Sequence, residues 1–224
     1  GAPGRCSSSW LPAESAHFST REFWGGLSVD IPGGGGELLR TAAGVTQPQD
    51  GSAYPWTTSG QIFFSCLPVI QNAGGEGFLA ITPDGTRYWF DWFAQTSEPT
   101  LKKYQYFHDD GSLPKPEPWR FLQRRKNILL ATRVQDRFGN TVQYTYANAW
   151  NEAPRLTAIT ASDGRQLTLS YQGSNVSSVS DGTRQWLYQY NSLPSRRGLS
   201  AVLLPDGSRW AINFEDFTRA ALRY

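Results

Sequence analysis

The sequence predicts an all-β fold made of antiparallel hairpins. Apolar and polar residues alternate over several short segments, which is the period of a half-buried strand. Four of these segments follow an Asp-Gly dipeptide, which is typical of hairpin turns because it supplies positive φ angles. No window shows a convincing amphipathic helix, apart from a short stretch near residues 217–222. We therefore expect a sheet of repeated antiparallel hairpins that begins with an irregular N-terminal β cap.

Residues 1–94 are predicted to be this N-terminal β cap, ending in a first hairpin. Alternating apolar residues predict strands at 27–31 and 62–66, and runs of glycine separate them. Cys6 and Cys66 are the two cysteines of the chain. They either form one disulfide or remain as two buried free thiols. A disulfide would attach the N-terminus to the second predicted strand.

Residues 95–127 are predicted to be a Pro-rich excursion on the surface. They contain an Asp-Asp-Gly turn signal at 109–111 and four prolines, Pro99, Pro114, Pro116 and Pro118. Neither the helical nor the strand period is sustained over this segment.

Residues 128–224 are predicted to be repeated hairpins. Each frame has an apolar pair three residues apart, then a turn glycine, then apolar residues three, five and seven positions later, with one extra residue after Gly182. Successive turn glycines lie 25, 18 and 25 residues apart, which is typical of a repeat architecture. Because one hairpin cannot bury its aromatic face alone, we expect neighbouring hairpins to form a continuous sheet. The predicted turn residues of the whole chain are Asp84, Gly85, Gly139, Asp163, Gly164, Asp181, Gly182, Asp206 and Gly207.

The repeated frames read LLATRVQDRFGNTVQYTYAN, LTAITASDGRQLTLSY, VSSVSDGTRQWLYQYN and LSAVLLPDGSRWAINFED. They resemble the repeats of the RHS family, also called YD-repeat proteins. Upstream, FWGGLSVDIPGGGGELLRT, DGSAYPWTTSGQIFFSC and GFLAITPDGTRYWFDW are similar to the N-terminal region of bacterial RHS-repeat proteins. The resemblance covers roughly residues 20–215.

The chain departs from the family pattern at the Tyr-Asp pair that gives the repeat its name. Here the frames end in Tyr146-Ala147, Tyr171-Gln172, Tyr190-Asn191 and Phe214-Glu215. The family's self-cleavage motif, Asp-Pro-x-Gly-Leu, does not occur, so the resemblance implies neither self-cleavage nor toxicity. It implies a hairpin sheet that winds into a shell around a cargo, with the N-terminal region as a cap or plug. The chain would then be a fragment of a secreted or cell-surface bacterial protein.

The expected function is that of a non-enzymatic structural or assembly module. Such a chain would form part of a shell, or would self-associate through open sheet edges into oligomers or filaments. Its partners would be the remainder of a longer RHS-type chain or further copies of itself.

The alternative function is carbohydrate or cell-surface binding by exposed aromatic residues. The chain has 9 Trp, 10 Tyr and 12 Phe, which suit either stacking on sugar rings or cross-strand ladders. Four aromatic residues that fall outside the buried register are the candidates for such a surface: Trp56, Trp89, Phe93 and Trp119. Those predicted on the buried face include Trp186, Tyr188, Tyr190 and Trp210.

Composition and spacing argue against several other classes. The net charge of +2 is low for a surface that neutralises nucleic-acid phosphates, so no nucleic-acid partner is expected. No stretch approaches the roughly 20 apolar residues of a membrane span. The turn aspartates are explained by their turns, and the two histidines, His17 and His108, lack the spacing of metal ligands. We therefore predict no catalytic residue, no metal and no cofactor.

Overall fold

The computed structural model describes residues 6–7, 15, 17–104, 119–147, 154–192 and 197–213. These residues form an all-β fold, as predicted. The one helical element among them is a three-residue 3-10 turn, Thr20–Glu22. The chain divides into two compact units, Gly1–Gly139 (unit 1) and Asn140–Tyr224 (unit 2).

Unit 1 contains eight described strands, all paired antiparallel. A two-stranded ribbon consists of β1 (Ser28–Ile31) and β2 (Gly34–Glu37). The sheet of unit 1 follows in sequence order, each strand pairing with the next: β3 (Leu39–Arg40), β4 (Trp56–Thr57), β5 (Phe63–Leu67), β6 (Gly77–Ile81), β7 (Arg87–Tyr104) and β8 (Trp119–Gln135).

The core of unit 1 forms where the ribbon packs on one face of this sheet. Apolar residues of the ribbon and its flanks, Ile31 and Leu38, join residues of the sheet and the loop before β5. The buried cluster consists of Cys6, Ile31, Leu38, Trp56, Ile62, Phe64, Phe78 and Ala80. The strand register explains why these sheet residues are buried together. Trp56 lies opposite Phe64, and Phe64 lies opposite Ala80, and side chains opposite each other share a face.

The prediction that residues 95–127 sustain no strand period is wrong in its described part. Residues 95–104 belong to β7 and residues 119–127 to β8, and the two strands pair from Arg87↔Gln135 to Tyr104↔Trp119. Pro99 is accommodated because the register shifts between Glu98 and Leu101, and proline is tolerated at such bulges. Residues 105–118, with three of the four prolines, lie outside the described residues. The compact units accordingly divide after Gly139, not at the predicted boundaries 94/95 and 127/128.

Just before β6 begins, polar side chains, instead of a strand, bond to the backbone of β7. The side-chain amide of Asn72 donates to the carbonyl O of Phe93 (2.8 Å) and accepts from the N–H of Phe93 (2.7 Å). Gln71 donates its backbone N–H to the carbonyl O of Asp91 (2.8 Å) and its side-chain amide to the Asp91 carboxylate (2.9 Å). This Asn72 clamp, as we call the pair of bonds to Phe93, satisfies backbone groups that no strand covers.

Unit 2 is an antiparallel meander. Its strands are β9 (Thr141–Ala147), β10 (Arg155–Ala161), β11 (Gln166–Gln172), β12 (Asn175–Ser180), β13 (Gln185–Ser192), β14 (Arg197–Leu203) and β15 (Arg209–Ala211). Each pairs with the next along the chain, which is the predicted arrangement of consecutive hairpins.

The turns differ from the expectation that an Asp-Gly pair supplies positive φ angles at both residues. Only the glycine has positive φ, 87° at Gly164, and the N–H of Gly164 donates to the carbonyl O of Ala161 (3.0 Å). This is a three-residue loop that ends in a left-handed glycine. At Asp181 the loop has two residues, Gly182 and Thr183, because the N–H of Asp181 donates to the carbonyl O of Arg184 (3.1 Å). The glycine is therefore first in that loop rather than last, which explains the extra residue in its frame.

Candidate functional site

The N-terminus is attached to the core by a disulfide between Cys6 and Cys66, with an S–S distance of 2.05 Å. Cys6 is fully buried, and its carbonyl O accepts a 2.8 Å bond from the indole N–H of Trp56. The prediction that Trp56 lies on the surface is therefore wrong. Its short strand lies beneath the ribbon, and the guanidinium of Arg40 lies 4.0 Å from the ring centroid.

Two other candidate surface aromatics are half-buried in unit 1. The guanidinium of Arg133 lies 4.6 Å from the ring centroid of Trp89 and covers it in part. Phe93 lies at the Asn72 clamp. Neither side chain forms an open binding surface.

Trp119 lies on the outer half of the β7–β8 hairpin. Since opposite residues share a face and successive residues alternate, one face of this half carries a defined set of side chains. We call it the arm face; its residues are Gln95, Ser97, Lys102, Tyr104, Trp119, Phe121, Gln123, Arg125 and Asn127.

Aromatic rings and one ammonium group meet at the outer end of the arm face. Trp119 is 44% exposed and Phe121 is 63% exposed. The ammonium of Lys102 lies 4.0 Å from the ring centroid of Trp119 and 5.7 Å from that of Phe121. The ring of Tyr104 meets that of Trp119 edge to face, at 5.1 Å between centroids. The rings therefore hold a cation above a partly apolar surface.

A second aromatic surface covers one face of unit 2. Cross-strand register places the apolar residues of successive strands opposite each other, as in Tyr144↔Ile159 and Tyr188↔Val202. Its aromatic members are half-buried, except at β15: Tyr144, Tyr146, Tyr171, Trp186, Tyr188, Tyr190 and Trp210. Trp210, which was predicted to be buried, is 64% exposed because no described strand pairs with the outer side of β15.

In each hairpin of unit 2 we call the strand before the glycine turn the incoming strand and the strand after it the outgoing strand. Each incoming strand contains a bulge at the same place in its frame. The register skips one residue on that strand, which is Thr157 on β10, Ser177 on β12 and Ser200 on β14. Two of their hydroxyls donate to the neighbouring strand, Thr157 to the carbonyl O of Thr145 and Ser200 to that of Gln189, both at 3.1 Å. The bulge moves apolar residues three apart, such as Leu156 and Ile159, onto one face.

Tyrosine hydroxyls bond to the backbone beside these bulges. The Tyr171 hydroxyl donates to the carbonyl O of Leu156 and the Tyr190 hydroxyl to that of Val176, both at 2.8 Å. Burial raises the pKa of both phenols above the ordinary value. Burial, together with the neighbouring Tyr144, raises the pKa of Tyr146 to about 12. These phenols therefore stay protonated and keep their donor hydrogens at neutral pH.

The turn aspartates are engaged within their own turns. Asp163, Asp181 and Asp206 each accept the backbone N–H two residues ahead, at 3.1, 3.0 and 2.9 Å. Backbone N–H bonds from Arg184 and Thr183 lower the pKa of Asp181 to about 2. The pKa values of Asp84, Asp163 and Asp206 are lowered mainly by bonds from side chains in their turns, those of Thr82, Arg165 and Ser208. Gly139 has a φ of 92° and ends the turn that begins at Asp136.

Comparisons with known proteins do not assign the chain to a family. No protein-family model matches it, and a search of curated proteins finds no match. In the described ranges, no helix is long and apolar enough to span a membrane. No group of three or more His, Cys, Asp or Glu residues that could hold a metal occurs in the part of the chain that the structure describes.

The sequence does not point to Lys102 and Phe121, because the segment that carries them sustains no strand period in its sequence. The signal was the spacing of Trp119 and Phe121, which places two aromatic rings on one face if the segment is a strand. The bulges were also missed, although the apolar pairs three residues apart pointed to them.

Proposed function

We propose that this chain is a structural and assembly module of the RHS, or YD-repeat, type. The observation that carries the proposal is the recurrence of one set of contacts in unit 2. Successive hairpins repeat a glycine turn, a bulge with a Ser or Thr residue and, in two of them, a tyrosine hydroxyl bonded to the first strand of its own hairpin. Each hairpin thereby offers the next one the same surface.

The outer edge of β15 is where further strands would add. The N–H of Ile212 donates to the carbonyl O of Ser200, and the N–H of Leu204 donates to the carbonyl O of Ser208, both at 2.8 Å. Because backbone groups alternate in direction, those of Arg209 and Ala211 point away from β14. Among the described residues no strand pairs with this edge. An open edge of this kind pairs with the strand of another copy, or with a following hairpin of a longer chain.

The disulfide supports a secreted or cell-surface location. Disulfides form and persist in oxidising compartments. The Cys6–Cys66 bridge closes a segment 60 residues long, and Cys6 belongs to the core cluster. The proposed role requires no catalysis, metal or cofactor.

The assembly proposal is tested by the mass of the chain in solution. Light scattering over a concentration series, with negative-stain microscopy, is expected to show oligomers or filaments. Ala211→Pro removes an outward N–H and is expected to shift the population to monomers, whereas Ala211→Val retains the N–H and should still assemble. A chain that stays monomeric at high concentration, or an Ala211→Pro variant that assembles like the parent, would contradict self-association through β15.

A second candidate function is carbohydrate binding, and the exposed rings of the arm face favour it. Trp119 and Phe121 remain open at the surface, and burial of such rings by a ligand would be favourable. Trp56, Trp89 and Phe93 contribute nothing to this candidate because they are buried or covered.

A further inference from the structure

We infer that the arm face binds a linear acidic polysaccharide, with Lys102 and Arg125 holding its anionic groups. This inference rests on the second candidate function and names the ligand class of that surface. It commits to a glycan with carboxylate or sulfate groups; membranes and nucleic acids are outcomes that would overturn it.

The charge of the arm face is positive without a carboxylate among its residues. Neither Lys102 nor Arg125 forms an ion pair with a described residue. Among the described residues, the nearby acids serve the opposite face of the hairpin, where Glu22 bonds Lys103 at 3.1 Å and Glu98 lies opposite Arg124. The low net charge of the chain, +2, therefore conceals a local cationic surface that complements an anionic polymer.

The rings of the arm face give the ammonium of Lys102 a fixed position. Its contacts with Trp119 and Phe121 limit where the flexible side chain can go. Phe121 is still 63% exposed, so an apolar ring face remains for the C–H side of a sugar.

The side-chain amides of the arm face favour an acidic sugar over other anionic ligands. The guanidinium of Arg125 donates to the side-chain O of Gln95, and the amide of Gln95 donates to the side-chain O of Asn127, both at 2.8 Å. Gln123 lies between Arg125 and Phe121 on the same face. Amides both donate to and accept from hydroxyl groups, which sugars present and lipid chains do not. Because these bonds already order the side chains, little freedom is left to lose on binding.

The length of the face suits an extended chain. Trp119 and Asn127 are eight residues apart on one strand, which corresponds to about 27 Å at the rise of a β-strand. Rings, amides and cations thus follow one another along a single line.

The test is isothermal titration of the full chain with a galacturonate hexamer, at low and at physiological salt. We expect binding that weakens with salt, because exposed charges are screened. Arg125→Gln and Lys102→Gln should each weaken binding by about tenfold, and Phe121→Ala by about fivefold. Lys126→Gln is the matched control, since Lys126 neighbours Arg125 but lies on the opposite face. Trp210→Ala is the control for an exposed ring elsewhere.

Other ligands distinguish binding of an acidic polysaccharide from carbohydrate binding in general. Equal binding of cellohexaose, a neutral hexamer, would overturn the acidic ligand class but leave carbohydrate binding in place. Equal binding of polyphosphate, of an oligothymidylate or of phosphatidylglycerol vesicles would overturn the inference, as would equal losses from Arg125→Gln and Lys126→Gln. Absence of binding to any hexamer would overturn both the inference and the carbohydrate candidate, and would leave the assembly proposal to the scattering experiment.

Discussion

At the scale of single residues, the tyrosines of the repeats have a role that the residues after them do not share. A bulge leaves a backbone carbonyl out of the regular ladder, and a carbonyl without a partner in a half-buried sheet is unfavourable. Tyr171 and Tyr190 supply that partner from the next outgoing strand. The following residues, Gln172 and Asn191, are exposed. This explains how the tyrosine can recur while its neighbour varies.

Removal of one hydroxyl tests this role. Tyr190→Phe is expected to lower the free energy of unfolding by about 1 kcal/mol, because the Val176 carbonyl loses its donor. Urea unfolding followed by tryptophan fluorescence measures the change. Tyr188→Phe is the matched control on the same strand and face, and we expect a loss near zero. Equal losses in the two variants would mean that the hydroxyl bond of Tyr190 contributes nothing specific.

At the scale of elements, the turns make the hairpins sensitive to acid. The pKa of Asp181 is about 2 in the folded chain, below its ordinary value of 3.8, because backbone N–H groups bond to its carboxylate. A carboxyl group with a lowered pKa stabilises the fold fully above its unfolded pKa. That contribution is lost as the pH falls through the folded pKa.

We therefore expect the melting temperature to fall as the pH is lowered from about 4 to about 2. Asp181→Asn keeps a turn-forming side chain but cannot titrate, so its melting temperature should fall less over the same range. Calorimetry of both chains at matched salt measures the difference. Parallel curves for the two chains would show that Asp181 does not contribute to acid sensitivity.

The elements that the sequence predicts well are those whose signal is local. Alternation and glycine turns identify the hairpins of unit 2, because both depend on residues close in the chain. The outer halves of β7 and β8 were missed, since segments such as Thr96-Ser97-Glu98 have few apolar residues, and each strand is stabilised by the other across a distant pairing. The arm face depends on that pairing, so the sequence alone does not indicate it either. Trp56 was misplaced because its burial depends on the ribbon and on Cys6, far away in sequence.

At the scale of the whole molecule, the disulfide connects the N-terminus to the sheet of unit 1. Loss of the bridge frees a segment 60 residues long in the unfolded chain and removes a constraint on Cys6. Loop-closure entropy for this length corresponds to about 4 kcal/mol.

The double variant Cys6→Ser, Cys66→Ser is accordingly expected to unfold at a clearly lower urea concentration, with a loss of about 2 to 4 kcal/mol. The reduced parent chain should unfold like the variant, which controls for the new serines. Unchanged midpoints in both samples would show that the bridge does not stabilise the chain. A loss in the variant without one in the reduced parent would assign the effect to the buried serines.

The Asn72 clamp also sets a limit on how far the long hairpin can open. Beyond Phe93 no described residue of β6 pairs with β7, so the outer half can fray by separating β7 from β8 once Lys103 releases the carboxylate of Glu22 and the carbonyl O of His17. At Phe93 the bonds to Asn72 hold the backbone of β7 on the edge that faces away from β8. Amide hydrogens of residues 95–104 would then exchange with solvent in local openings, and those of residues 88–93 only when unit 1 unfolds. The arm face belongs to the part that opens first, so ligand occupancy there would be visible as slowed exchange without any change in the core.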